Sequence, residues 1–316
     1  MESTAPHLRG KTGIATVRRK RRNEYRTLLL MLVPGMLYFL LFHYLPMYGV
    51  VVAFKDFKIT QGILGSGWSG FKQFDRAFAD PHFYVVIRNT VLISFYKLLF
   101  GFPAPIVFAL LLNEVAWARF KKVVQTVSYL PHFISWIVLG GIVISFFSFD
   151  GPVNWVIRQF GGDPVLMLAD ERYFRSVLVA TDIFQSFGWG SIIYFAAIAG
   201  IDHQLYEAAI IDGAGRLRRA LSITLPMLAP VIVIMLILRM SHILDAGFDQ
   251  IFNLYNPKVY DVSDIIDTYA YRKGLTEMEY SYSTAIGLFK SAVALALVVA
   301  TNYAVKWIGG KEHTLW

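Results

Sequence analysis

Cysteine is absent from the 316 residues, which removes disulfide frameworks, thiolate zinc sites and cysteine nucleophiles and leaves the redox compartment open. Charge is scarce too. Only 16% of the residues are charged, 56% are hydrophobic and mean hydropathy is +0.49, whereas soluble domains carry about 25% charged residues. The sequence also lacks catalytic signatures. No His-Glu-x-x-His appears and the seven histidines are scattered, which argues against a metalloenzyme. Gly10-Lys11-Thr12 looks like the end of a phosphate-binding loop, but Ala5 stands where the first glycine is required and no strand precedes it. No convergent carboxylate pair marks a glycan-cleaving enzyme.

What is present is apolar sequence in long runs. A large buried core could give the same composition, so the deciding question is whether the runs can cross about 30 Å of hydrocarbon. Six can, at 28–54, 85–113, 123–149, 176–201, 225–244 and 284–306. Helix is the conformation that satisfies the backbone of such segments in lipid. The expected class is therefore an all-α polytopic membrane protein with about six transmembrane helices. Pro34, Pro46, Pro103 and Pro105 are expected to kink or end helices.

The net charge of +8 owes much to Arg18, Arg19, Lys20, Arg21, Arg22 and Arg26, directly before the first run. A basic block there retains its segment in the cytoplasm, which explains the charge better than nucleic acid does. The following run is too long for a cleaved signal peptide. An even number of spans then puts both termini in the cytoplasm. Short basic loops at Arg119, Lys121 and Lys122 and at Arg216, Arg218 and Arg219 agree. The 245–283 loop, with seven acids against three bases, is expected outside. The expected organisation is a basic segment at 1–27, a transmembrane domain at 28–308 with an inner loop at 202–224, and a tail at 309–316.

That inner loop reads Glu207-Ala208-Ala209-Ile210-Ile211-Asp212-Gly213-Ala214-Gly215-Arg216, then Ile223-Thr224-Leu225-Pro226. At helical spacing Leu205, Ala208, Ala209 and Asp212 share a face, and the small alanines allow close approach by another surface. Gly213 and Gly215 are expected to break the helix, and Pro226 to open the next one. Read from the residues alone, the loop is either a docking element or a helix lying on headgroups. Its spacing, Glu-Ala-Ala, three residues, Gly, nine residues, Ile-x-Leu-Pro, resembles the motif of permease subunits in ATP-binding-cassette importers.

The resemblance extends further. Trp68-Ser69-Gly70-Phe71-Lys72-Gln73-Phe74, Asp80-Pro81-His82-Phe83 and Asn89-Thr90 look like the sugar-importer branch. Tyr129-Leu130-Pro131-His132-Phe133-Ile134-Ser135 and Phe102-Pro103-Ala104-Pro105 look like the subgroup importing complex oligosaccharides, alginate fragments included. The resemblance implies a type I importer permease of six helices, without the extra spans of longer maltose-type chains, in the bacterial inner membrane. It implies a second homologous permease, two ATPase subunits that carry ATP and magnesium, and an extracytoplasmic solute-binding protein, with no cofactor and no covalent catalysis in this chain. The coupling positions carried over are Glu207, Ala208, Ala209, Gly213, Ile223, Leu225 and Pro226, with Asp212 and Ala214 inside the same loop. An ion-coupled secondary transporter is the alternative, but it calls for several mid-membrane acids and inverted repeats. A relative for neutral sugars would share the motifs.

Ionisable residues inside the spans are Arg88, Lys97, Asp182, Arg239 and Lys290, each costly in lipid. Arg88 lies near a helix end and can snorkel. Lys97 lies about 18 Å along its run from Val85, too deep to reach water easily. It is expected either to pair with Asp182 or a partner residue, or to face the translocation path and favour an acidic oligosaccharide. Asp182, Arg239 and Lys290 carry the same two readings, structural ion pairing or a role on the path. Trp136, Phe187, Trp189 and Tyr194 are packing residues or sugar platforms, and Trp189 joins Lys97, Asp182 and Arg239 as a path candidate.

Overall fold

The computed structural model describes Tyr25, residues 28–240 and residues 243–309. The basic block at Arg18 to Arg26 and residues 310–316 lie outside the described residues. Four helices are long and apolar enough to cross a membrane unaided: α1 (Leu28–Phe54), α2 (Pro81–Asn113), α7 (Arg216–Met240) and α10 (Tyr280–Gly309). The number reaches six if each of two bent helix pairs is one span, namely α3 (Ala118–Phe133) with α4 (Trp136–Phe146), and α5 (Glu171–Ala199) with α6 (His203–Ile211), α6 being the short arm beyond its bend.

The third apolar run is thus not one straight span. Between α3 and α4 the chain turns by 104°, because Pro131 starts a tight turn and Ile134 and Ser135 adopt extended backbone. The Ile134 carbonyl, released from helical bonding, accepts from Gln185 Nε2 at 3.1 Å. Apolarity alone does not encode that change of direction. In the fourth run the helix starts earlier than hydropathy indicates, at Glu171, where the Asp170 carboxylate caps it by accepting the Arg172 N–H.

The prolines do not end their helices either. In α1, α2 and α7 a five-residue π turn, at Leu40–Tyr44, Lys97–Gly101 and Ala220–Thr224, finishes two residues before Pro46, Pro103 and Pro226. Proline lacks a donor and its ring crowds the preceding turn. The wider turn accommodates both, as the Leu45 to Leu40 and Leu225 to Ala220 hydrogen bonds show. Pro226 accordingly sits inside a helix running from Arg216, rather than opening one.

The acidic 245–283 segment is not a solvent loop. It folds into short helices, among them α8 (Phe248–Leu254) and α9 (Ile266–Tyr271). Ala246, Ile251, Leu254, Val259 and Ile265 from this segment interlock with Ile93 of α2, Leu139 of α4 and Phe174 of α5. A second cluster joins Phe83 and Val86 to Tyr269 of α9 and to Tyr282 and Ile286 of α10. At the other end Ile106, Ala109, Tyr194, Ile198 and Leu228 hold α2, α5 and α7 together. α3 and α5 approach closely at Gly188, where a Cβ would fall 1.9 Å from the Ser128 carbonyl oxygen; glycine alone lets these backbones meet.

α1 stands apart. None of residues 28–48 is buried, and it joins the body through Val52 and Ala53, beside two two-residue strands, β1 (Lys55–Asp56) and β2 (Gly67–Trp68), paired antiparallel.

Candidate functional site: a coupling loop and a buried charged node

The Glu207 loop forms a helix, a sharp turn and a second helix. Asp202 caps α6, its carboxylate accepting the Gln204 N–H at 3.0 Å. After a 75° bend from α5, α6 ends at Gly213, whose φ of +75° lies in the left-handed region. The closing hydrogen bonds, Gly213 N–H to Ile210 O at 3.0 Å and Ala214 N–H to Ala209 O at 2.8 Å, are those of a glycine-terminated helix. Gly215 is extended at φ −65°, a conformation open to any residue, so only Gly213 makes the turn.

No residue of α6 is buried. Glu207, Ala208 and Asp212 are exposed, and apolar Ile211 is 85% exposed. The far side of the hairpin is anchored, because the Tyr206 hydroxyl meets Thr224 Oγ1 at 2.9 Å and Arg219 Nη2 lies 3.6 Å from Glu114. Of the remaining motif positions, Leu225 packs in the cluster of α2, α5 and α7, Ile223 is half-buried, and Pro226 follows the π turn. The loop therefore presents an outer face and fixes an inner one. The basic residues expected in loops are helical, Arg119, Lys121 and Lys122 in the first turns of α3 and Arg216, Arg218 and Arg219 in the first turn of α7; Lys121 lines the same cavity as His203, Tyr206 and Arg219, so both clusters lie at one end of the bundle.

Lys97 is 3% exposed and its ammonium lies 3.0 Å from Asp182 Oδ1. It also donates to Gln250 Oε1. Gln250, fully buried, donates to Leu178 O at 2.7 Å and Thr181 Oγ1 at 2.8 Å. Lys97 thereby ties α2 and α5 to α8. Gly247 makes the approach possible: its φ is +89°, and a Cβ would lie 2.6 Å from the Lys97 nitrogen. Of the two readings open to Lys97, the structure holds the pairing with Asp182. Arg239 lies in the same neighbourhood, near enough to influence Lys97, and is exposed. It has no ion pair among the described residues. Lys290 pairs with Asp267 at 2.6 Å.

The rings separate as well. Tyr194 is buried and Phe187 packs edge-on against Phe108 at 4.9 Å. Trp189 instead lies flat on His132, with centroids 4.8 Å apart and planes 3° apart, and Phe133 meets it edge-on at 5.3 Å. All three are exposed. The bend between α3 and α4 is what delivers His132 and Phe133 to Trp189.

A buried hub in the acidic segment had no sequence signal beyond its acids. Asp264, fully buried, is gripped by Arg272, by His82 Nε2 at 3.0 Å and by the Thr268 hydroxyl at 2.8 Å. Beside it Asp80 accepts from the Tyr269 hydroxyl at 2.6 Å and the His82 N–H at 2.9 Å. Burial opposes ionisation of Asp80, but these hydrogen bonds hold its carboxyl below the ordinary value. Burial and the same carboxylate push the Tyr269 phenol up.

Four to six spans, with a capped and exposed hairpin at one end and a packed helical layer at the other, make the chain a polytopic membrane subunit. The chain belongs to the family described as binding-protein-dependent transport system inner membrane component, whose profile matches residues 101–310. It is a permease subunit of an ABC-type sugar importer of the inner membrane. It is 45% identical over 303 residues to Protein LplB of Bacillus subtilis (strain 168), covering 96% of this chain and 95% of that one. It is 46% identical over 287 residues to the polygalacturonan/rhamnogalacturonan transport system permease protein YteP of the same organism, covering 90% and 89%. Among solved structures it matches a chain of a bacterial ABC transporter involved in the import of the acidic polysaccharide alginate, with a TM-score of 0.83 and 40% identity, covering 92% of this chain and 99% of that one. A second match at the same TM-score and identity comes from that type of transporter in complex with an alginate pentasaccharide-bound periplasmic protein. The fold and family expected from the sequence stand.

Proposed function

We propose that this chain pairs with a second, homologous permease to enclose a path for a uronate-containing oligosaccharide, delivered by an extracytoplasmic binding protein and driven by two ATPase subunits. The observation that carries the reading is the 203–219 hairpin, an anchored helix–turn–helix with Glu207, Ala208 and Ile211 in the open at the bundle's basic end. Such a face suits a cleft in an ATPase. ATP binding and hydrolysis belong to those subunits; here the hairpin transmits their movement to α5 and α7, to which it is joined. In this reading both termini and the hairpin are cytoplasmic and the 245–283 layer faces outward.

The acidic cargo is supported by relatives named for polygalacturonan and for alginate, both polymers of uronic acids. Trp189, backed by His132, offers an apolar face for a sugar ring, and Arg239 a guanidinium for a carboxylate. Lys97 and Asp182, in the same neighbourhood as Arg239, serve in this reading as a structural pair and not as contacts to the cargo. In proteoliposomes, Arg239→Gln is expected to slow uptake of an acidic oligosaccharide about tenfold, the worth of one charge-assisted hydrogen bond. A matched neutral oligosaccharide should be affected little. Equal effects on both, or none, would remove the acidic assignment.

Orientation is testable because the chain contains no cysteine. Ser263 in the acidic segment is fully buried and unsuitable for labelling, whereas Met278 and Gly215 are exposed. A cysteine at Met278 should react with an impermeant maleimide in intact spheroplasts and one at Gly215 only after lysis. The opposite pattern would invert the topology.

A further inference from the structure

A groove of about 630 Å³ runs between α2 and α5, on the half of the bundle away from the coupling hairpin. Its composition changes along its length. At the end of the bundle it is lined by Glu171, Arg172, Arg175 and Ser176; deeper it is lined by Val179, Ala180, Ile183 and Phe100. From Glu171 to Ile183 is about 18 Å of helix at about 1.5 Å per residue, close to the roughly 15 Å of one hydrocarbon leaflet, half of about 30 Å.

The charges at the polar end are not balanced alike. Arg172 is held by Asp170, with Nη2 to Oδ2 at 2.7 Å. Arg175 instead donates to neutral oxygens, through Nε to Val262 O at 3.0 Å and Nη2 to Asn89 Oδ1 at 2.8 Å. Arg88, close enough for the two guanidiniums to repel, donates to the Asp261 carbonyl at 3.2 Å. Neither has an ion pair among the described residues. Glu171 is the one carboxylate in the groove lining; set against Arg175 of the lining and the neighbouring Arg88, which is not part of it, it leaves one positive charge in excess. An anion seated there would relieve the repulsion between Arg88 and Arg175.

We infer that this groove is a seat for one anionic phospholipid of the adjoining leaflet, its phosphate toward Arg175 and Arg88 and an acyl chain along Val179, Ala180, Ile183 and Phe100. The occupant follows from the gradient. A sugar chain needs hydrogen-bond partners throughout, and the deeper half supplies almost none, whereas a lipid changes from charged to apolar over this distance. The site lies on the α2–α5 seam that the Lys97–Asp182 ion pair also joins, so a bound lipid would brace the same seam.

Native mass spectrometry of the purified, assembled importer tests this, using phosphatidylglycerol and phosphatidylcholine with identical chains. One phosphatidylglycerol should be retained in preference to phosphatidylcholine. Arg175→Gln should reduce that preference about fivefold, the worth of one basic residue at an anionic surface. Arg175 also holds Asn89, so Ala180→Trp supplies a second variant. Ala180 is exposed and makes none of those hydrogen bonds, and a tryptophan there should block the groove and cost one bound lipid of either kind. Equal retention of the two lipids by the wild type, or unchanged retention of phosphatidylglycerol in both variants, would overturn the inference. So would an efficient disulfide in native membranes between a cysteine at Ala180 and the partner permease, because protein would then fill the groove.

Discussion

Gly213→Val is expected to abolish ATP-driven uptake while leaving the subunit inserted and assembled with its partner permease. At φ +75° an L-residue costs about 1–2 kcal/mol, and a β-branched one is worse placed still. No neighbour lies within 4 Å of the position a Cβ would take, so the effect is purely one of backbone conformation. The chain relieves it by unwinding the last turn of α6, which moves Glu207 and Ile211 relative to the anchored Tyr206 and Arg219. Gly213→Asn should keep most activity, because asparagine tolerates the left-handed region. Glu207→Arg tests the same surface by another route. It reverses an exposed charge with no effect on the turn, and should lower co-purification of the ATPase without changing subunit yield. Wild-type uptake in the valine variant together with wild-type co-purification in the arginine variant would reject the hairpin as the docking element.

Lys97→Met is expected to be the most destabilising single change among the intramembrane charges. It leaves the Asp182 carboxylate and Gln250 facing a thioether, and removing one member of a buried pair costs about 3–5 kcal/mol. Asp182 keeps 18% of its side chain exposed, which places the effect toward the lower end. The measurement is the thermal aggregation midpoint of the assembled importer in detergent. Lys97→Met/Asp182→Asn should recover much of the loss, since no lone charge remains. Uptake of acidic and neutral oligosaccharides should fall together in the single variant. A single variant as stable as the wild type, losing only acidic substrate, would instead make Lys97 a contact on the path.

The two sites differ in how far they could be read from the chain. The hairpin is local: cap, small residues, left-handed glycine and following Leu-Pro fall within 25 consecutive residues, and their spacing is the structure. The class of fold was equally plain, because hydrocarbon thickness sets the length of a run. Direction was not plain. Nothing in the hydropathy of 123–149 marks the 104° turn at Ile134 and Ser135, which depends on Gln185, some fifty residues away. The fold of the 245–283 segment is hidden for a related reason. Its acids mark a connection between two spans, but Asp264 and Asp267 are consumed by Arg272, His82 and Lys290, while the apolar residues between them fill the core. Lys97 was narrowed to two roles, and its partners come from helices 85 and 153 positions away. Such pairings are properties of the packed bundle and of no single segment.

The π turns ahead of Pro46, Pro103 and Pro226 bear on which length changes the chain can survive. Each holds one residue more in a turn than an α-helix would, for about the same rotation, so the helix halves on either side keep nearly the phase of an uninterrupted helix one residue shorter. Deleting Leu99 would let the turn at 97–101 close to ordinary α geometry. Ile106 and Ala109 would then stay in their cluster with Tyr194 and Leu228 while Asn89 and Ile93 kept their own contacts. A deletion elsewhere in the same helix has no such slack and turns everything beyond it by about 100°. Homologous chains should therefore tolerate single-residue gaps at the π turns and not in the regular stretches beside them.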